Sequence, residues 1–221
     1  MRRRDEATLT ATVSKPGEPA GPAATAGDAR QRILQTTIQC FCACGYEKSS
    51  MKLISTKAGV SQTLLHYHFE TKEKLFQAAI DDMAKRLFAT ASAQLPHGAS
   101  VRDDLTEAAN LMYALFIDNV DAVTFMVEFA AAANHNEFLR TAYVDYRDTQ
   151  RRQLAGALRH IAGDDVPQRL IDESVRLFET VLLGMSMQRP FVSDTSGFRR
   201  DFDAFAQMLA ARITEGLEPR R

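Results

Sequence analysis

Apolar residues recur at every third or fourth position from about residue 28 to the C-terminus, and no convincing stretch alternates residue by residue. That is the period of helices packed on one face, so the pattern predicts an all-α chain of about nine helices. The first runs from about Asp28 to Cys44, with Ile33, Leu34, Thr37, Ile38, Phe41 and Cys44 on one stripe and Gly45 as a left-handed stop. A short helix behind Ser50 turns Leu53, Ile54 and Ala58 inward, and another behind Ser61 turns Leu65 and Phe69 inward. Gly59-Val60 makes the tight corner between them. Thr71 opens a fourth helix, striped by Leu75, Phe76, Ala79, Ile80, Met83 and Leu87.

Beyond Pro96, Ser100 and Asp103 form a capping-box pattern ahead of Val101, Leu105, Ala108, Met112 and Leu115. Asp121 opens an apolar helix to about Ala133, and Asn136 a long one to near Gly163. Pro167 stands in the first turn of the next, which stops before Arg189-Pro190. The last carries Phe202, Phe205, Leu209 and Ile213 and ends at Gly216. Residues 1–27 break the pattern: they are Ala, Gly, Pro and Thr with few large apolar groups, too little to offset the entropy of ordering, and are expected to be disordered.

Composition adds little to this, but charge distribution does. The 221 residues carry a net charge of −1. Residues 28–76 hold seven Lys or Arg against four Asp or Glu, a balance of +3, while residues 77–221 stand at −5. A basic module of residues 28–76 on an acidic body of residues 77–221 fits a nucleic-acid-binding head. No apolar run is long enough to span a bilayer, and the N-terminus lacks the apolar core of a secretion signal, so a cytoplasmic protein with no membrane partner is expected.

The segment "EKSSMKLISTKAGVSQTLLHYHF", residues 47–69, reads as a helix-turn-helix, with Ala58 small at the crossing and Gly59 permitting the turn. Its second helix would offer Gln62, Thr63, Leu64, His66 and Tyr67 outward, in position to enter a major groove. Residues 30–76, with "RIL", "F...GY", "AGVS", "HYHF" and "TKE", resemble the DNA-binding head of the TetR family of bacterial transcription regulators. The resemblance implies phosphate contacts from Ser50, Tyr67 and His68. It implies a further one at Lys72, where the lysine and free backbone N–H groups of a helix start act together. It places Gln62 and Thr63, with His66 beside them, at base-reading positions; Gln suits adenine N6 and N7, and a Thr methyl suits thymine. Met51, Lys52 and Ser61 flank these. The chain departs from the family pattern at Leu64, where Thr is frequent, and at Thr63, where Gly is frequent. Leu64 would meet a thymine methyl or a sugar.

His66 and His68 stand two apart on a helix, point to different faces and make no metal site. Cys40, Cys42 and Cys44 lie on the first helix, where alternate residues diverge by about 200°, and cannot converge on one ion. Cys40 is expected on the buried side, Cys42 on a flank and Cys44 near the exposed end. They read as small hydrophobes; the other reading is that Cys44, alone or with Cys40, senses oxidants or electrophiles.

Residues 77–221 contain no nucleophile elbow, HExxH or glycine-rich phosphate loop, so no catalytic residue, metal or cofactor is assigned. A concentration of soft and aromatic groups stands at Met112, Tyr113, Phe116, Phe125, Met126, Phe129, Tyr143 and Tyr146. These read as core or as the lining of an apolar cavity, with Glu128, His135 or Arg147 as a polar anchor. The resemblance implies a pocket for a mostly apolar small-molecule effector there. It also implies a homodimer through the last two long helices, along Leu177, Val181, Gly184, Met185, Phe202, Phe205, Leu209 and Ile213. The expected protein is a homodimeric repressor released from a near-palindromic double-stranded operator by its effector. Two alternatives stay open on the residues: an all-α small-molecule carrier or enzyme, and a thiol-based redox-responsive regulator.

Overall fold

The computed structural model describes residues 26–95, 98 and 100–216. Within them lie nine α-helices, one 3-10 turn and no strand: α1 Ala26–Lys48, α2 Met51–Ala58, α3 Gln62–His68, α4 Lys72–Ala93, α5 Val101–Phe116, α6 Val120–Ala133, α7 Glu137–Ala162, α8 Gln168–Gln188 and α9 Thr195–Glu215, with the 3-10 turn Arg189–Phe191 between the last two. The all-α expectation holds. The expected disorder of residues 1–27 falls almost wholly outside the described residues.

Local chemistry sets most helix starts. Ser50 Oγ accepts from the Leu53 N–H, Ser61 Oγ from Leu64 and Thr71 Oγ1 from Lys74, at 3.1, 3.1 and 3.2 Å. Each satisfies one backbone donor that a helix leaves unpaired. Asn136 Oδ1 does the same for Leu139 at 3.0 Å. Asn119, two positions before the expected start at Asp121, caps α6 through Ala122. At Ser100 the box differs from the expected form: Oγ accepts from Asp103 N–H at 3.1 Å and donates to the Asp103 carboxylate at 2.7 Å.

Two expectations need correction. Gly45 does not end α1 with an ordinary left-handed cap: its φ of 74° and ψ of 172° kink the chain, and a further turn runs to Lys48. Ser49 locks that turn, donating from Oγ to the Gly45 carbonyl at 2.8 Å. The kink lets Tyr46 fold back into the core, 5.1 Å from the Phe76 ring. On α5 the buried stripe is Leu105, Ala109 and Tyr113, not the register through Ala108, Met112 and Leu115. Two faces of α5 are apolar there, and packing against α9 selects one.

The head and the body share one core. Ile33, Leu34 and Phe41 of α1, Ile54 of α2, Leu65 of α3 and Phe76 of α4 pack in one cluster with Phe125 and Phe129 of α6 and Leu139 and Tyr146 of α7. The expected boundary at residues 76 and 77 is therefore a place in the chain, not a gap between cores. Two smaller clusters hold α5, α7, α8 and α9 together.

Candidate functional site

The two short helices cross as a helix-turn-helix. Gly59, at φ 65° and ψ 37°, supplies the left-handed residue of the corner, and its N–H closes back on the Ser55 and Thr56 carbonyls. Leu65 is fully buried and Phe69 nearly so, and these two anchor α3. Its other side faces out: Gln62, Thr63, His66 and Tyr67 are exposed, Tyr67 at 81%. Leu64 is half-buried, as are Met51 and His68, and Lys52 is exposed. A face of amide, hydroxyl, imidazole and phenol groups held on a rigid apolar base suits contact with base edges.

Ser50 and Ser61 spend their oxygen lone pairs on their caps, and each hydroxyl proton stays free to donate. His66 Nδ1 lies 3.4 Å from the Glu70 carbonyl. His68 departs from its expected role in one respect: its Nε2 is buried without a hydrogen-bond partner, so that nitrogen is not offered to a phosphate. Lys72 lies over the Tyr46 ring, Nζ 3.8 Å from the centroid, and donates to the Glu47 carbonyl at 3.4 Å. Burial lowers its pKa, with the Glu47 and Glu73 carboxylates acting the other way. The start of α4 is already partly engaged. Glu73 already bonds its own backbone N–H there, and its carboxylate accepts from the Tyr46 hydroxyl at 3.0 Å. Those interactions hold Glu73 below the usual carboxylate range, the backbone bond foremost and burial opposing.

The thiols occupy helix α1 as a packing element. Cys40 is buried; burial, with a smaller push from Cys44, raises its pKa against the pull of Lys57. Cys42 donates to the Asp121 carbonyl at 3.3 Å, and burial, then Asp121 and Glu128, push its thiol up to about 12. Cys44, half-buried, donates to the Cys40 carbonyl at 3.1 Å and lies 3.3 Å from Ser49 Oγ. Neither Cys40 nor Cys42 is set up as a thiolate nucleophile. Among the described residues no group of three or more His, Cys, Asp or Glu is placed to hold a metal ion.

The aromatic set expected to surround an effector does not gather around one cavity. Phe125 and Phe129 are fully buried against Phe41 and Phe76. Tyr113 packs on Phe202 in a different cluster, 4.8 Å between centroids. Met126 and Tyr143 flank the first cluster, Phe116 is half-buried and His135 is exposed. Arg147 is engaged: with Arg151 it grips Glu179 of α8, at 2.6 and 2.7 Å. Glu128 faces the kink of α1, where a Cβ on Gly45 would come within 2.9 Å of its carboxylate.

The apolar cavity lies elsewhere, where α4, α5, α7, α8 and α9 meet. Its volume is about 90 Å³, within a recess of about 750 Å³ partly open to solvent. Phe88 and Ala91 of α4, Met112 of α5, Leu158 of α7, Phe178 of α8 and Leu209 of α9 are among its walls, and no charged side chain of the described residues lines it. Of the expected effector residues only Met112 is there. The rest of the lining was missed because aromatic density does not mark it: Ala108, Ala109, Ala157, Ala206 and Ala210 stand among its aliphatic walls, and their small side chains leave space.

The expected dimer stripe also divides. Leu177 is 46% exposed and Gly184 has open space over it, but Met185 is buried, Leu209 lines the cavity and Phe205 packs near Phe178 and Phe202. Among the exposed apolar residues missed are Met187, Phe191 and Met208, at 51, 87 and 72%. Leu177, Thr180, Gly184 and Met187 fall at helical spacing on the outer side of α8, which a search for the stripe opposite Phe178 would have found.

An all-α body carrying an outward-facing helix-turn-helix defines a DNA-binding transcription regulator. Residues 33–79 match the family model "Bacterial regulatory proteins, tetR family". An uncharacterized HTH-type transcriptional regulator of Mycobacterium tuberculosis is 25% identical over 187 residues, covering 84% of this chain and 93% of the relative. The HTH-type nicotine-responsive transcriptional repressor HdnoR of Paenarthrobacter nicotinovorans is 24% identical over 154 residues, covering 65% and 78%. The fold resembles that of a transcriptional regulator from Rhodococcus sp. Rha1, with a TM-score of 0.66, 18% identity and coverage of 85% and 96%. Residues 33–79 thus carry the DNA-binding head of the TetR family, and the similarity to an HTH-type transcriptional regulator extends over most of the chain.

No helix among the described residues is long and apolar enough to cross a membrane.

Proposed function

We propose that two copies of the chain form a cytoplasmic repressor that binds a near-palindromic operator and leaves it when a small apolar molecule enters the cavity under α4. The observation that carries the DNA half is the exposed face of α3, with Gln62, Thr63, His66 and Tyr67 outward over the buried anchors Leu65 and Phe69. Gln62 and Thr63 read bases, with Leu64 against a thymine methyl or sugar; Ser50, Tyr67 and Lys72 hold phosphates. Met51, Lys52 and Ser61 border that surface. The exposed side of α8 and α9, with Leu177, Gly184, Met187 and Met208, supports the dimer. A two-fold pair places two copies of α3 in successive major grooves. A relative named as a nicotine-responsive repressor supports the sense of the response.

Helix α4 links input to output. Its first turn carries Lys72, and its far half gives Phe88 and Ala91 to the cavity wall. A ligand larger than the cavity prefers a state in which α4 has moved, and its differential affinity for that state sets the response. A gel shift with fragments of the source genome at low salt tests the reading. A retained fragment should contain inverted half-sites about one helical turn apart. If no fragment is retained, the DNA reading falls and a small-molecule carrier takes its place.

A further inference from the structure

We propose that the cavity takes a neutral, mainly aliphatic amphiphile whose single hydroxyl or carbonyl oxygen bonds to Ser174. This rests on the effector reading only for its consequence at DNA; the binding itself stands on Ser174 and the walls. Ser174 is fully buried in α8 and lines the cavity, and its Oγ has no hydrogen-bond partner. Buried hydroxyls in helices ordinarily bond back to a carbonyl one turn earlier, as Thr37 does to Ile33 at 2.7 Å and Ser55 to Lys52 at 3.0 Å. Ser174 does not, so a polar atom is held inside an apolar space at a cost that a bound oxygen removes. Water is a poor occupant. It needs about two to four polar partners, and the only other polar side chain of the lining among the described residues, Ser92, is exposed.

The walls decide the rest of the ligand. Met112, Leu158, Val175, Phe178 and Ile213 offer aliphatic and aromatic carbon, and no carboxylate, lysine or arginine among the described residues lines the cavity. An ion entering it would lose its hydration without a counter-charge, so carboxylates and ammonium compounds are excluded. A chain with one uncharged oxygen meets both demands. With a volume of about 90 Å³, the cavity is short for such a chain, so longer members extend into the open part of the recess and along α4.

The test is displacement of the neutral dye N-phenyl-1-naphthylamine from the full-length protein by octanol, octanoate and octyltrimethylammonium. Octanol should displace the dye, with affinity rising about fourfold per methylene from hexanol upward, and both ions should be at least about tenfold weaker. Ser174→Ala should weaken octanol by about three- to tenfold and leave butylbenzene unchanged. Equal displacement by the ions, or an equal loss of octanol and butylbenzene in Ser174→Ala, overturns the proposal. Ala109→Trp, which fills the space, should abolish displacement, and retained displacement places the dye elsewhere and overturns it too. Octanol that binds yet leaves a retained DNA fragment in place supports the ligand class and removes only the effector role.

Discussion

The ring of Phe76 meets that of Phe129 edge to face, 5.1 Å between centroids. Phe76 stands in the second turn of α4 and also meets Phe41 of α1 edge to face at 4.1 Å. One side chain thus joins the helix that carries Lys72, the first helix of the head and the body helix α6. Movement of α4 cannot be local, because Phe76 is fully buried between both partners.

Phe129→Ala should therefore act at a distance. Removing a fully buried phenylalanine costs about 3–5 kcal/mol, read as a lower urea midpoint. Because Phe76 loses a wall, amide exchange should also rise in α1 and α3, far along the chain from the substitution. A stability loss with unchanged protection in the head would separate the two cores that share this cluster.

Lys72→Met keeps an aliphatic stem against the Tyr46 ring and removes only the charge. Binding should weaken for every DNA sequence alike, and the slope of log K against log salt should fall by about 1 per protomer. Gln62→Ala should instead lower affinity for the operator by about 1–3 kcal/mol and leave non-specific fragments unaffected. A fluorescence-anisotropy salt titration on both fragments distinguishes the two. A changed base preference in Lys72→Met would remove the phosphate assignment.

Cap chemistry was legible because it is local. Ser50, Ser61, Thr71 and Asn136 each accept from an N–H three residues on, and no distant residue decides it. The outward face of α3 was legible for a related reason: Leu65 and Phe69, four apart, fix the buried side and leave the remainder outside. The cavity was not legible. Aromatic density pointed to Phe125 and Phe129, but large side chains fill space. The empty volume lies where alanines of four helices face one another, a property of the assembled helices that no single stretch encodes. The buried register of α5 failed similarly, since partners chose between two apolar faces.

Glu179 ties α8 to α7 through two guanidinium groups, and its titration has a defined sign. Burial alone would raise its carboxyl; the bonds from Arg147 and Arg151 outweigh that and hold it below its ordinary 4.5. A carboxylate depressed in the folded chain contributes stability above its unfolded value and loses it as pH falls through the folded one. Stability should thus drop below pH 4.5 more steeply in the parent than in Glu179→Gln. At neutral pH that variant should cost about 1–2 kcal/mol, discounted because both arginines are about a third exposed. Cys42 predicts the opposite edge. Its thiol, ordinarily near 9.0, is pushed up to about 12, so the fold favours the protonated form and loses stability as pH rises from 9.0 toward 12. The difference between the urea midpoints of the parent and Cys42→Ala should change with pH only in that alkaline range.

Gly184 separates folding from assembly. It sits inside α8, and a Cβ added there meets no atom within 4 Å of its own chain. Replacing a helix-interior glycine with alanine favours the helix by about 1 kcal/mol, so a lone protomer of Gly184→Ala should melt at the same or higher temperature. If α8 meets its mate closely at Gly184, the added methyl pushes the helices apart and the dimer weakens. Gly184→Leu enlarges the effect, and Met187→Asp adds a charge that a buried interface leaves unpaired. Sedimentation equilibrium should show dissociation increasing from Gly184→Ala to Gly184→Leu and Met187→Asp, with helical content retained by circular dichroism. DNA retention should fall in parallel, because one copy of α3 reaches a single half-site. Three variants that dimerise like the parent would move the interface away from this side of α8.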